Sequence, residues 1–338
     1  MRKLLKQTEF YLALVILLLS ILITMYNPRF LSAENIFDLL KSFSVMGIMA
    51  VGVLFVLILG GTPDVSFTAI AQVAEYVVVI MTLRWGGNIL LAFLTASLIG
   101  GVLGRLNGCL VNMFRVPTII ITIATSNIFF GLLYVFSQGQ VIYVIHPLFR
   151  RFSEIRIGNL VSQHGVYFGL SLMPLIWLVV LILGWFVLNY TRMGRDIYAI
   201  GGSELAAERV GIPVRRTKLF VFTFVGVLAG IAAVVHAAIV QSAIPNSLVG
   251  QELDVIAAVF LGGASVFGGA GTILGTFLGI LLLAVVNNGL TLLGVSSYWY
   301  NIFVGAVIVI SITISAVQRI RQKKTRVKVQ VDSEGWRV

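Results

Sequence analysis

Glu75 is the one acid inside the apolar run Val65–Leu83, and Gln72 precedes it by one turn on the same helical face. A charged side chain near mid-bilayer costs about 2.5–3.5 kcal/mol on insertion scales, so it must face protein or water. Three chemistries are open to it: a hydrogen bond between helices, a contact lining a polar pathway, or a proton- or ion-coupling site. Membrane proton relays are built from chains of ionisable groups. Glu75 reads as isolated, because Glu252 and Asp254 are placed at an outer edge of a later span. Other chemistry is excluded. Cys109 is a single cysteine, and His146, His164 and His236 are scattered, so neither a disulfide nor a metal cluster is expected. No G-x-x-x-x-G-K-[ST] loop occurs, and the glycine-rich stretch 262–271 contains no Lys, so nothing cradles ATP phosphates. No catalytic residue, metal or cofactor is assigned.

The elements that carry these residues are membrane spans. Of 338 residues 59% are apolar and 11% charged, against about a quarter charged in soluble proteins. Apolar stretches near the roughly 20 residues of a spanning helix recur at 10–26, 43–60, 65–83, 88–104, 117–135, 168–190, 219–240, 253–269, 271–293 and 297–317. The expected fold is an all-α polytopic bundle of about ten spans. The net charge of +11 does not mark a nucleic-acid binder, since no polar domain carries a basic footprint. With the N-terminus inside, most of the 24 Lys and Arg residues fall in the cytoplasmic segments, as topology signals do. Arg150, Arg151 and Arg156 run against that pattern in the outer loop 136–167, whose Ile and Phe content suits the membrane surface. The basic start followed by Phe10–Tyr26 reads as an uncleaved first span. Residues 1–317 form the transmembrane domain and 318–338 a basic cytoplasmic tail against anionic lipid.

Two segments break the pattern. Leu261–Gly271 has five glycines in eleven residues. Irregular backbone at membrane depth is tolerated only where protein or water satisfies it, so span eight is a candidate broken or re-entrant helix, giving eight to ten full crossings. The Leu-Gly-Gly endings of Val53–Gly61 and Ile256–Gly263 echo one another, the pattern of repeat-built transporters. The second segment is the cytoplasmic loop 191–218. Ser203 suits an N-cap, Glu204 the positive end of a helix, Gly211 the C′ position, and Pro213 stops continuation. A helix of two turns has little stability alone, so it rests on the bundle or on a partner protein.

The pattern Gly194-Arg195-x-x-Tyr198-Ala199-x-Gly201-Gly202-x-x-x-Ala206-Ala207-x-x-x-Gly211-Ile212 resembles the coupling segment of permease subunits of ribose-type ATP-binding cassette importers. Glu252-Leu-Asp-Val-Ile-Ala-Ala-Val259, Leu261-Gly-Gly, Gly268-Gly269 and Asn287-Asn288-Gly289-Leu290 are similar to that family's ending. One motif departs. Where such permeases carry Gly-Gly-Ile-Asp-Leu-Ser-Val-Gly, this chain has Gly60-Gly61-Thr62-Pro63-Asp64-Val65-Ser66-Phe67. Pro63 presets φ there, and Asp64 or Ser66 can cap the next helix.

The resemblance implies a bacterial plasma-membrane permease with both termini cytoplasmic. It implies pairing with a second permease subunit, two cytoplasmic ATP-binding subunits docked on Ser203–Val210, and an extracytoplasmic binding protein that delivers a simple sugar. The alternatives are a permease of the same fold for branched-chain amino acids and, apart from the resemblance, an ion-coupled secondary transporter that works without an ATPase partner. Ala206 and Ala207 would let an ATPase surface approach, and Glu204, Glu208 and Arg209 could pair with it. Asn127, His236, Asn287 and Asn288 carry groups suited to sugar hydroxyls, or equally to hydrogen bonds between helices.

Overall fold

The structure is a computed structural model that describes residues 2–60, 62–114, 116–161, 167–296, 298–311 and 313. In chain order the helices are α1 (Arg2–Tyr26), α2 (Ala33–Gly60), α3 (Phe67–Trp85), α4 (Ile89–Met113), α5 (Thr118–Ser137) and α6 (Pro147–Glu154). A small antiparallel hairpin, β1 (Arg156–Val161) and β2 (Tyr167–Ser171), follows. Then come α7 (Leu172–Tyr190), α8 (Arg192–Gly202), α9 (Glu204–Arg209), α10 (Val214–Val240), α11 (Gln251–Leu261), α12 (Ile273–Leu292) and α13 (Tyr298–Ser311). Eight of these, α1 to α5 with α7, α10 and α12, are long and apolar enough to cross a membrane.

α2 is the axis of the bundle. From Val45 to Leu59 it is apolar or glycine on every side and buried throughout except Met46, and a helix apolar all round belongs in an interior. It packs on α10, α12, α7, α11 and α8. α1 lies outside, against α12. Glu9 meets Thr272 at one end (2.5 Å) and Asn27 Nδ2 donates to the Leu292 carbonyl at the other (3.0 Å), so the two helices run parallel.

The tightest pair is α4 with α10. Gly100, Gly104 and Gly108 recur every fourth residue on α4, opposite Gly226 and Gly230 on α10. A Cβ at Gly104 would run into the Phe222 carbonyl oxygen, and one at Gly226 into that of Gly100. Without a hydrophobic drive between helices in lipid, small residues permit this close van der Waals approach.

Span eight, 253–269, is the broken helix that its glycines suggested, and two other expectations change. α11 stops at Leu261, where Gly263 takes a left-handed φ of +85° and donates to the Phe260 carbonyl (2.9 Å), as Ala264 does to that of Val259 (3.2 Å), while Gly262 packs closely on Gly275 of α12. The path back to the α8–α9 end runs through residues 262–272, whose Gly269 N–H donates to the Ile58 carbonyl (2.8 Å). Span six begins at Leu172 rather than 168, since β2 takes up residues 167–171. Glu252 is not at an outer edge. Residues 241–250 fold back alongside α3, so α11 starts within the bundle and Glu252 lies beside Thr68 (3.4 Å). Both Leu-Gly-Gly sites end a helix, α2 at Gly60 and α11 at Leu261. Gly61, residues 314–317 of the tenth span and the tail 318–338 lie outside the described residues.

Candidate functional site

The loop 191–218 holds two helices where the sequence predicts one. Thr191 caps α8, its hydroxyl accepting from Gly194 N–H (3.2 Å). Ile197 and Ile200 turn inward with Gly194 while Arg192, Arg195 and Ala199 face out. That spacing of the two isoleucines after a Thr was the legible signal for α8. α9 forms as expected. Ser203 Oγ accepts from Ala206 N–H (3.3 Å). Gly211, at φ +82°, closes it with bonds from Gly211 N–H to Glu208 and from Ile212 N–H to Ala207 (both 3.0 Å). This is a Schellman ending, which needs a left-handed residue at C′.

α9 rests on its own bundle through Ala207, which is buried. Ala207 is therefore turned away from any docked partner, and Ala206 alone of the pair faces outward. Glu204 is taken by Lys218 of α10 (2.6 Å), whereas Glu208 and Arg209 are exposed. Leu205 and Val210 stand out at 62% and 77% exposure, apolar tips on an otherwise polar surface.

α8 is seated on the broken span. A Cβ at Gly201 would strike the Ile58 carbonyl oxygen and meet Gly269 N at 2.5 Å. Tyr198 Oη donates to the Gly271 carbonyl (2.7 Å). Backbone of the loop helix, of α2 and of the 262–271 tract thus meet at one point. Gly194 is buried against the carbonyls that end α7, and Gly202 is exposed with open space around it.

The second group lies along α3. Thr68, Gln72 and Glu75 recur at helical spacing on one stripe, and they meet in turn the start of α11, the returning segment and α10. Gln72 Nε2 donates to the Ile244 carbonyl (2.7 Å), while its Oε1 accepts from Leu248 N–H and Ser247 Oγ (3.1 Å each). A buried turn must have its backbone groups satisfied, and Gln72 does this for residues 244–248. Glu75 is not isolated: its Oε2 lies 2.8 Å from His236 Nδ1 of α10. Of the three chemistries open to Glu75, the structure makes the bond between helices. Glu252 Oε2 accepts from Gly250 N–H (2.9 Å), at the start of its own helix.

Asp64 and Ser66 set where α3 begins. Neither caps it with a side chain. Instead Asp64 Oδ1 accepts from Ser66 N–H and Oγ–H (2.7 and 2.6 Å), and Ser66 Oγ accepts from Asn107 Nδ2 (2.6 Å). Asn107 stands six residues before the end of α4 at Met113, so α3 starts about 9 Å inside the bundle. Asn107 is a residue the sequence reading passed over. Two buried acceptors along this seam, Glu75 Oε1 and Asn107 Oδ1, have no partner among the described residues.

The remaining candidates fall elsewhere. Asn127 is exposed and donates to the Ile123 carbonyl of its own helix (2.8 Å). Asn288 forms a reciprocal amide pair with Asn35 (2.9 Å each way), tying α12 to the start of α2. Asn287 is half-buried beside it, and Gly60 is exposed.

Comparison with known proteins covers nearly the whole chain. Residues 35–312 match the family of branched-chain amino acid transport system permease components. The chain is 34% identical over 307 residues to the ribose import permease protein RbsC of Escherichia coli (strain K12), covering 89% of this chain and 91% of that protein. It is 35% identical over 295 residues to the RbsC protein of Bacillus subtilis (strain 168), covering 87% and 88%. To the D-allose transport system permease protein AlsC of Escherichia coli (strain K12) it is 32% identical over 307 residues, covering 91% and 90%. No solved structure matches.

Proposed function

The chain belongs to the family of branched-chain amino acid transport system permease components, and from that premise we propose that it is the membrane-spanning subunit of an ATP-driven importer for a simple sugar. The sugar class follows from the relatives named for ribose and D-allose, which align over about nine-tenths of the chain. The observation that carries the mechanism is the seating of α8 on the broken span through Gly201 and Gly269.

ATP is bound by separate partner subunits, which dock on α9 at a cytoplasmic face. Leu205, Ala206 and Val210 supply the apolar contact, with Glu208 and Arg209 at its rim. Exposed apolar residues grouped on a polar surface mark such contacts. Movement of the docked pair α8–α9 reaches α2 and the 262–271 tract directly. The solute, delivered by a binding protein at the α6 end, passes beside the start of α11, where the chain is non-helical at depth. Discontinuous helices supply solute sites in transporters of repeat design. The spare acceptors on Glu75 and Asn107 suit sugar hydroxyls once that seam parts. A second permease copy completes the pathway in a bacterial plasma membrane.

Reconstitution tests this. With its cognate ATP-binding subunits and a sugar-loaded binding protein, vesicles should accumulate labelled sugar in proportion to ATP hydrolysed. Gly201→Leu should abolish accumulation while ATP-binding subunits remain docked. Accumulation driven by an ion gradient with no ATP-binding subunits present would sink the proposal.

A further inference from the structure

Of the three outer arginines that run against the topology rule, Arg151 lines an unassigned recess. α6 is amphipathic: Phe149 and Phe152 are buried and Arg150 and Arg151 face out. It sits between the outer ends of α4 and α7. Beneath it, an apolar groove of about 450 Å³ is walled by Leu90 and Leu94 of α4 and by Leu175, Val179 and Leu183 of α7, with Ile231 of α10 as its floor. Its one polar side chain is that of Ser97. Above it, a recess of about 530 Å³ opens between Asn88, His146 and Arg151. Phe152 lines both cavities, its ring edge-on to Phe93 at 5.7 Å.

The upper recess has donors and no carboxylate. Asn88 spends its oxygen capping α4, accepting from Leu91 N–H (2.8 Å), which leaves its NH₂ as a donor. His146 Nδ1 accepts from Leu148 N–H (3.2 Å), which places the ring proton on Nε2. Arg150 is paired with Glu154 (2.9 Å), whereas Arg151 has no ion pair or hydrogen bond among the described residues. A guanidinium with two neutral donors matches a phosphate group. The groove below runs from Leu172 to Leu183, about 16 Å at the helical rise. That is half of the roughly 30 Å hydrocarbon core, so one leaflet. A transmembrane helix of a second copy would need the full thickness; an acyl chain needs half.

We propose that this is a site for one anionic phospholipid of the outer leaflet, its phosphate held by Arg151, His146 and Asn88 and an acyl chain lying between α4 and α7. The lipid wedges α7, and through α7 the start of α8, against the rest of the bundle. The site stands apart from the solute pathway and does not depend on the cargo.

The experiment counts lipids on the purified full-length protein by native mass spectrometry, with phosphatidylglycerol or phosphatidylcholine of matched chains added. Phosphatidylglycerol should be retained about five-fold better than phosphatidylcholine, the scale of one basic residue at a charged lipid surface. Arg151→Gln should remove that preference, and Val179→Trp, which fills the groove, should lower retention of both lipids. Arg150→Gln should leave both unchanged. Because Arg151 and Val179 are exposed, all three variants should elute as the parent does on size exclusion. Equal retention of the two lipids, or no change in Arg151→Gln, overturns the site. So does self-cross-linking of a Leu94→Cys variant in the membrane, which would give the groove to a second copy. Weakened capture of a binding protein by Arg151→Gln with lipid retention intact would likewise overturn it.

Discussion

Two seams on α10 hold this bundle together by opposite means. Against α4 the contact is backbone on backbone, with glycines interlocked and carbonyl oxygens where side chains would otherwise stand. Against α3 and the segment that follows α10, the contact is made of side-chain hydrogen bonds from Gln72 and Glu75. The first joins two regular helices, each of which satisfies its own backbone. The second must hold a stretch that is not helical, whose backbone needs partners inside a membrane: Ala243 pairs with Ile142 backbone, and Gln72 serves Ile244 and Leu248. The glycine seam depends on close fit alone, and the polar seam on each hydrogen bond being made.

That contrast can be broken in graded steps. Gly104→Leu should have the largest effect, destabilising by about 3 kcal/mol or more through overpacking against backbone that has nowhere to move. Thermal unfolding in detergent would reveal it, and native-like stability would mean the seam is looser than described. His236→Leu comes next, at about 3 kcal/mol, because it leaves a buried carboxylate without its partner. The double variant Glu75→Leu with His236→Leu should recover most of that loss, as apolar replacement of a buried pair often does. If transport stays lost after stability returns, the pair serves the pathway rather than the fold. Gln72→Leu should cost about 2 kcal/mol and free the amide of Leu248 to exchange its hydrogen, since a backbone donor and acceptor lose their partner. Unchanged exchange at Leu248 would remove Gln72 from the seam. Asn127→Ala should shift stability by less than about 0.5 kcal/mol, because its amide serves an exposed face of its own helix. A larger loss would put an unseen contact on α5.

Much of this was readable along the chain, and the rest was not for identifiable reasons. Apolar run length located all eight long helices, since a span is a property of about twenty consecutive residues. Ser203, Gly211 and Pro213 located α9, because capping is decided within a few residues. α8 was readable too, from Thr191 and the spacing of Ile197 and Ile200, but its proximity to the better-marked α9 hid it. The end of α11 at Leu261 was marked locally by Gly262-Gly263, the second of them left-handed at φ +85°, whereas the seat of Gly262 on Gly275 of another helix is information that local sequence does not carry. The pairing of Glu75 with His236 spans 161 positions, and both residues were singled out without being joined. The inward turn of Ala207, and the capture of Glu204 by Lys218, likewise depend on where α10 begins. The glycine spacing on α4 and α10 was in plain view, and needed only to be taken as a close-approach signal.

The meeting of Gly201 with Gly269 and Ile58 has a mechanical consequence. Side chains are soft: they can swing between rotamers and absorb a small push before passing it on. Here no such cushion exists, because peptide groups touch peptide groups. A displacement of α8, if a partner supplied one, would therefore reach α2 and the tract before α12 through backbone contact with no rotamer change between them.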